Sequence, residues 1–447
     1  MVNEPKIFKK AQIVSVDMGY GHQRAAYPLS HLAFDGVLSA NTYKGIPKSD
    51  MKKWENSRRV YEVISRMKHL PFIGKYIFDV LDYFQKIEPF YPMRDLSEPI
   101  IQVRSMYKMI SKGWGKDLIN RLNKNNLPLI TSFFIPAFFA EEHRFRGDIY
   151  CICTDADVSR AWAPLDPRKS RIKYLVPNKR VKERLRLYGV RSENLFVTGF
   201  PLPKENLGGP DWPILKENLS SRIVRLDPLK KYRKKYGSTI KHYLGSEKCI
   251  KSTKNNPITI TFAVGGAGAQ RELGVTIMES LRLHLMRGEV KLNLVAGVRK
   301  DVYSFFKEAV KEYRLNDKSN GNVKIIFEDN KVDYFDKFNE VLKTTDILWT
   351  KPSELSFFAG LGLPIIMAPT IGSQEDFNKS WLHAIGAGVE QEDPRYTNEW
   401  LFEWVKSGWL AEAAMQGFLD APKNSIYHIE DIVLKGKRSE IEDIHLL

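Results

Sequence analysis

Two short segments hold residue types that could do chemistry. The first is Asp17-Met18-Gly19-Tyr20-Gly21-His22. A histidine at the tip of a turn, directly after a glycine, has an ordinary pKa of about 6.5 and suits removal of a proton from a hydroxyl. Asp17 is placed to orient the imidazole or to hold the loop, and Gly19 and Gly21 let the backbone approach a ligand. A solitary histidine is more often a surface or core residue, and it is the surrounding motif that favours a general base here. The second segment is Gly265-Gly266-Ala267-Gly268-Ala269, whose backbone N–H groups and following helix N-terminus would attract an anion. Many strand-to-helix turns need glycine for geometry alone. Neither segment fits the phosphate loop GxxxxGK[ST], and Arg24 stands where GxGxxG would have its third glycine. Nucleoside triphosphate hydrolysis and NAD chemistry are therefore disfavoured.

Both turns follow strand-like runs. Residues 11–16 read as a strand leading into the first turn, and Arg24 to Phe34 reads as a helix with Ala25, Ala26, Leu29, Leu32 and Ala33 on its apolar side. Short apolar strands recur at 129–134, 149–153, 173–176 and 195–197. The pattern restarts at 258–264 and continues at 291–297, 323–327, 346–349 and 363–367. Alternation of this kind predicts parallel sheets covered by helices on both faces. The polar stretch between Pro203 and Asn256, interrupted by Pro210, Pro213 and Pro228, is the natural boundary.

Composition narrows the class. The chain has 447 residues, 43% hydrophobic and 27% charged, which suits a globular protein of two or three domains. No apolar run is long enough to cross a membrane, and the first residues hold no signal-peptide core, so a reduced cytoplasm is expected. Cys151, Cys153 and Cys249 are too few for a disulfide framework, and Cys151-Ile152-Cys153 lacks zinc-knuckle spacing; they read as packing residues. The net charge of +16 concentrates between Arg222 and Lys254, as a solvated face or an anion-binding one. No RNA- or DNA-binding pattern is visible, so no specific nucleic acid partner is expected.

The motifs also carry a family resemblance. Asp17-x-Gly19-x-Gly21-His22-x-x-Ala25-Ala26 resembles the N-terminal motif of monogalactosyldiacylglycerol synthases and processive diacylglycerol glucosyltransferases, with the lipid II-forming N-acetylglucosaminyltransferase as a more distant relative. Thr154-Asp155 with Trp162, Val176-Pro177-Asn178, Tyr188-Gly189-Val190 and Val197-Thr198-Gly199-Phe200-Pro201 look like the later pattern of the same N-domain. Gly362-Leu363-Pro364, Gly372-x-Gln374-Glu375-x-x-Asn378 and Gly386-Ala387-Gly388 keep the family's order in the second half. The similarity spans the chain except for roughly 40–125 and 206–256. It implies an α/β GT-B fold, two Rossmann-like doubly wound domains facing a central cleft: 1–205 on the acceptor side, a basic linker or insertion over 206–256, a donor domain over 257–420, and a tail over 421–447 packing back on the first domain.

The same resemblance implies a metal-independent glycosyltransferase that moves a hexose, with inversion, from a nucleoside diphosphate sugar to a lipid or lipid-like acceptor. That sugar nucleotide, a UDP-sugar by inheritance, is a co-substrate, and no cofactor is expected. His22 and Asp17 fall at the catalytic positions, with Gly19, Gly21, Asp155 and Trp162 on the acceptor side. Gly265, Gly266, Gly268, Arg299, Glu354, Gln374, Glu375 and Asn378 fall on the donor side. The chain departs from the family in two places. Phe357 stands where relatives carry a ribose-binding Glu, which leaves Glu354 as the substitute, and Ser159 replaces a histidine of the N-domain. A catalytically silent nucleotide-sugar or polyanion-binding protein, or a non-hydrolysing sugar-nucleotide epimerase, are the alternatives. Finally, the basic and apolar mixture from Ser57 to Glu88 suits amphipathic helices lying on an anionic membrane surface, peripheral to its inner face, or else covering the N-terminal sheet.

Overall fold

A computed structural model describes residues 8–67, 87–245, 257–263, 265, 268, 270–315, 321–370 and 372–441, without the side chains of 58–67 and 373. Gly266, Cys249 and most of the amphipathic stretch 57–88 lie outside the described residues. Six strands form the first sheet: β1 (Ala11–Ser15), β2 (Ala33–Ser39), β3 (Leu129–Thr131), β4 (Ile149–Ile152), β5 (Lys173–Val176) and β6 (Leu195–Val197). They pair in the order β2-β1-β3-β4-β5-β6, all parallel. The second sheet comprises β7 (Ile258–Ala263), β8 (Val290–Gly297), β9 (Val323–Phe327), β10 (Ile347–Thr350), β11 (Ile365–Met367) and β12 (Gly388–Glu390). Its order is β12-β11-β10-β7-β8-β9, again all parallel.

Parallel pairing needs long crossovers, and the helices that supply them cover the sheets, which is why central strands such as β3, β4 and β7 are buried along their whole length. Relabelled from its own first strand, the second sheet runs 6-5-4-1-2-3, the doubly wound dinucleotide-fold order. The chain is thus α/β with two Rossmann-like doubly wound domains, the architecture of the GT-B class. In each sheet the crossovers reverse direction beside the first strand, between β1 and β3 and between β7 and β10. Ligands of such sheets bind beyond the carboxyl ends of the strands at these reversals.

The chain divides into two compact units: residues 1–201, 370–378 and 424–447, and residues 202–369 and 379–423. The stretch read as a linker from 206 supplies helices Pro213–Leu226 and Lys231–Leu244 to the second unit. Two of its cations are buried structural groups. Arg222 donates to the carbonyls of Thr345, Leu361 and Gly362 at 2.7–2.9 Å, and Arg225 pairs with the buried Asp346 at 2.7 Å. The helix expected from Arg24 to Phe34 is shorter than the apolar spacing suggests. An α-helix covers Tyr20–Ala26, a 3₁₀ segment follows over Tyr27–Leu32, and Ala33 already begins β2. Pro28 accounts for the change, because it has no N–H to continue the α-helical ladder. Cys151 and Cys153 are buried and unbridged, and burial pushes both thiols up in pKa, as suits packing residues. Among the described residues no helix is long and apolar enough to cross a membrane.

Candidate active site

The first cluster assembles at the β1/β3 reversal. After β1 the chain turns at Gly19, whose φ of 116° an L side chain would rarely adopt, and enters the helix that carries His22 in its first turn. β3 ends beside β1, and the carbonyl of Ser132, one residue beyond it, lies 2.8 Å from His22 Nδ1. A carbonyl can only accept, so the neutral imidazole carries its proton on Nδ1 and its lone pair on Nε2. The Thr154 hydroxyl stands 3.4 Å from the same Nδ1. Phe133 packs against the ring with centroids 4.5 Å apart, Trp162 lies at 6.4 Å, and Phe134 packs on Trp162 at 5.2 Å. Burial among these rings lowers the histidine's pKa to about 4, since the imidazolium is desolvated, and the Ser132 carbonyl opposes the shift only in part.

The orienting partner of His22 is therefore the Ser132 carbonyl, the role given to Asp17 from sequence. Asp17 is held through its main chain: its N–H donates to Asn41 Oδ1 at 2.7 Å and its carbonyl accepts from Asn41 Nδ2 at 3.0 Å. Ser132, Phe133 and Asn41 were missed from sequence because they sit among ordinary strand-end residues. Their one legible signal was position, at the ends of the strands that flank β1.

The loop after β4 closes this cluster from the other side. Asn378 is fully buried; its Oδ1 accepts from Ala156 N–H at 2.8 Å and its Nδ2 donates to Asp155 Oδ1 at 3.2 Å. Asn178, which caps the helix Lys179–Leu187, donates to the Ala156 carbonyl at 3.0 Å. One peptide is thus clamped from both sides. Asn378, expected among the donor-binding residues, engages both ends of its amide in this brace and acts on a ligand only through the loop it holds. Asp155, read as a helix cap, is instead its partner. Gln374 and Glu375 lie one turn earlier, in the first turn of helix Ser373–Ala384, with Gln374 partly exposed and Glu375 largely buried.

The second cluster lies at the β7/β10 reversal. Gly268 has a φ of 71°, and its N–H donates back to the Gly265 carbonyl at 2.8 Å. A Cβ on Gly265 would come within 2.6 Å of Lys351 Cε, and one on Gly268 within 3.0 Å of Arg299 Nε. These glycines therefore leave room for two cations, one following β10 and the other following β8. Arg299 pairs with Asp301 at 2.9 Å. Lys351 was not singled out as a site residue from sequence; its place directly after β10 is what brings it to the turn. Glu354 opens the 3₁₀ helix Glu354–Leu361 and is partly exposed, whereas Phe357 is 3% exposed and packs on Trp381 at 5.0 Å. The position where relatives carry a carboxylate is part of the core. Among the described residues no three His, Cys, Asp or Glu side chains gather as a metal-ligand set.

Comparison with known proteins adds the following. A family described as "Domain of unknown function (DUF6938)" matches residues 245–429. None of the curated proteins matches the chain in sequence. Among solved structures, the S. aureus MnaA–UDP structure is similar with 10% identity and a TM-score of 0.46, covering 98% of this chain and 100% of that one. MurG from Acinetobacter baumannii is similar with 13% identity and a TM-score of 0.46, covering 95% and 99%. A glycosyltransferase from Rickettsia africae is similar with 12% identity and a TM-score of 0.42, covering 96% and 100%. At such identities and scores neither substrate nor chemistry transfers from those proteins to this one.

Proposed function

We propose that the chain is a glycosyltransferase of the monogalactosyldiacylglycerol synthase-like kind, moving a hexose from a UDP-sugar to a lipid or lipid-like acceptor with inversion. The observation that carries this reading is the imidazole of His22, fixed by its Nδ1 bond to the Ser132 carbonyl so that Nε2 is the acceptor, at a switch point of a doubly wound sheet. In the reaction the acceptor oxygen bonds to C1 of the sugar as the bond from C1 to the diphosphate breaks. The hydroxyl proton passes to His22 Nε2, and the nucleoside diphosphate leaves. Charge grows on the leaving diphosphate, and the turn at Gly265 and Gly268 with Lys351 and Arg299 supplies N–H dipoles and cations suited to it. Gln374 and Glu375 are assigned to the sugar hydroxyls. Phe357, buried against Trp381, leaves the ribose to Glu354 or to main chain.

A thermal-shift screen against uridine, guanosine, cytidine and thymidine diphosphate sugars tests the donor, followed by transfer of labelled hexose to diacylglycerol vesicles. A melting shift with UDP-sugars and a labelled glycolipid are expected. Binding without transfer to any acceptor would leave a nucleotide-sugar-binding protein, and isomerisation of the bound sugar without acceptor would make it an epimerase. The donor assignments separate by calorimetry. Lys351→Ala and Arg299→Ala should each weaken free UDP by about 10-fold or more, the worth of one charge-assisted hydrogen bond. Gln374→Ala should leave free UDP unchanged and weaken only the UDP-sugar. Equal loss of UDP in all three variants would remove Gln374 from the sugar subsite.

A further inference from the structure

Helix Lys231–Leu244 of the second unit has two unlike faces. Tyr232, Ile240 and Leu244 are buried, with the ring of Tyr232 5.0 Å from that of Tyr236, and this side packs on helices Thr397–Ser407 and Trp409–Asp420. Lys231, Lys234, Lys235, Ser238, Lys241 and His242 repeat at three- and four-residue intervals on the opposite side, all exposed, and the exposed Lys230 precedes them. The one acidic residue of residues 227–245, Asp227, is buried and engaged with Arg233 at 3.2 Å. Among the described residues no carboxylate lies within ion-pair distance of the five exposed lysines. Like charges packed this closely repel one another, so the stripe is stabilised by whatever anion covers it.

The ends of the stripe are not polar. Leu229 is 54% exposed just before the helix, and Tyr243 is 44% exposed in its last turn. Trp409 is 45% exposed, and the glycine before it, Gly408, lies against Tyr232, with a built Cβ 3.0 Å from that of Tyr232. We infer that this face docks on an anionic lipid bilayer surface, the lysines over the headgroups and Leu229, Tyr243 and Trp409 in the interface. Aromatic and leucine side chains flanking a basic helix face are what a bilayer boundary rewards, because one end of each ring can be dry while the backbone stays wet. A phosphate backbone of nucleic acid would use the lysines but leave those three side chains in water. The inference holds whether or not the chain transfers sugar.

Co-sedimentation of the full chain with phosphatidylcholine vesicles, with and without about one-third phosphatidylglycerol, tests it. Binding is expected only to the anionic vesicles, falling with added salt. Each lysine near such a surface contributes about five-fold in partitioning, so Lys231→Gln, Lys234→Gln and Lys235→Gln together should weaken it about 100-fold. The melting temperature and UDP affinity of that triple variant should not change, since these side chains pack on nothing. Trp409→Ser should weaken partitioning several-fold, and Trp409→Phe should remove part of the blue shift in tryptophan fluorescence on binding. Failure to sediment with anionic vesicles at low salt overturns the inference, as does wild-type partitioning by the triple variant. Binding of a short DNA duplex that depends on the lysines but not on Trp409, without vesicle binding, would assign the face to nucleic acid instead.

Discussion

Replacement of His22 by alanine is expected to lower kcat by roughly 10²–10⁴-fold while leaving UDP affinity unchanged, the size of effect that follows loss of a general base. The pH dependence carries a sharper expectation. An imidazole held at about 4 by burial stays unprotonated through the neutral range, so the acidic limb of kcat/KM should fall near pH 4 and not near 6.5. Measurement of kcat/KM from pH 3.5 to 8 on any accepted substrate checks it (a span of about 4 pH units around the shifted value). A limb near 6.5 would mean that the ring is solvated in the working enzyme, and full turnover by His22→Ala would remove it from the mechanism. The same shift has a stability consequence. The unfolded chain binds the proton at about 6.5 and the folded chain at about 4, so stability falls as pH is lowered through that window. His22→Gln should flatten that part of the stability curve.

Asp157→Ala is expected to destabilise the first unit by about 3–5 kcal/mol, the cost of leaving a buried charge without its partner. Asp157 and Arg184 both have wholly buried side chains, and their contact is bidentate: Arg184 Nε to Asp157 Oδ1 at 3.0 Å and Nη2 to Oδ2 at 2.9 Å. Arg180 donates to the same Oδ2 at 2.7 Å, and both guanidiniums stack on Phe90 at about 5 Å. The consequence reaches the site because Asp157 fixes the loop that begins at Thr154 and whose Ala156 peptide is clamped by Asn178 and Asn378. Urea unfolding of wild type and Asp157→Ala gives the difference, and Asp157→Asn, which keeps the shape and part of the hydrogen bonding, should lose less. A change below about 1 kcal/mol would show that the pair is solvated despite its burial.

The sequence by itself determined the alternation of strands and helices, because a parallel strand buried on both faces must be a short continuous apolar run, and such runs are legible without a partner. It determined the place of the two glycine turns as well, since a φ near 116° or 71° restricts the residue type locally. What it left open were the edges and the breaks. β2 pairs only with β1, and its side chains are mostly exposed, so Phe34 and its neighbours have no apolar run to announce them, and Pro28 ends the α-helix within an otherwise helical spacing. Only the tertiary structure decided which groups meet at the turns. Ser132 reaches His22 across 110 positions and Asn378 reaches Ala156 across 222, through strand order alone. It decided the state of His22 too, because desolvation depends on Phe133 and Trp162, which come from other strands. The basic stretch after Arg222 shows the same division: its charge is written in the sequence, but burial of Arg222 and Arg225 and exposure of the lysines follow from how their helices pack. Local spacing constrains which residues can turn, and packing assigns each of them its neighbours, its solvation and hence its chemistry.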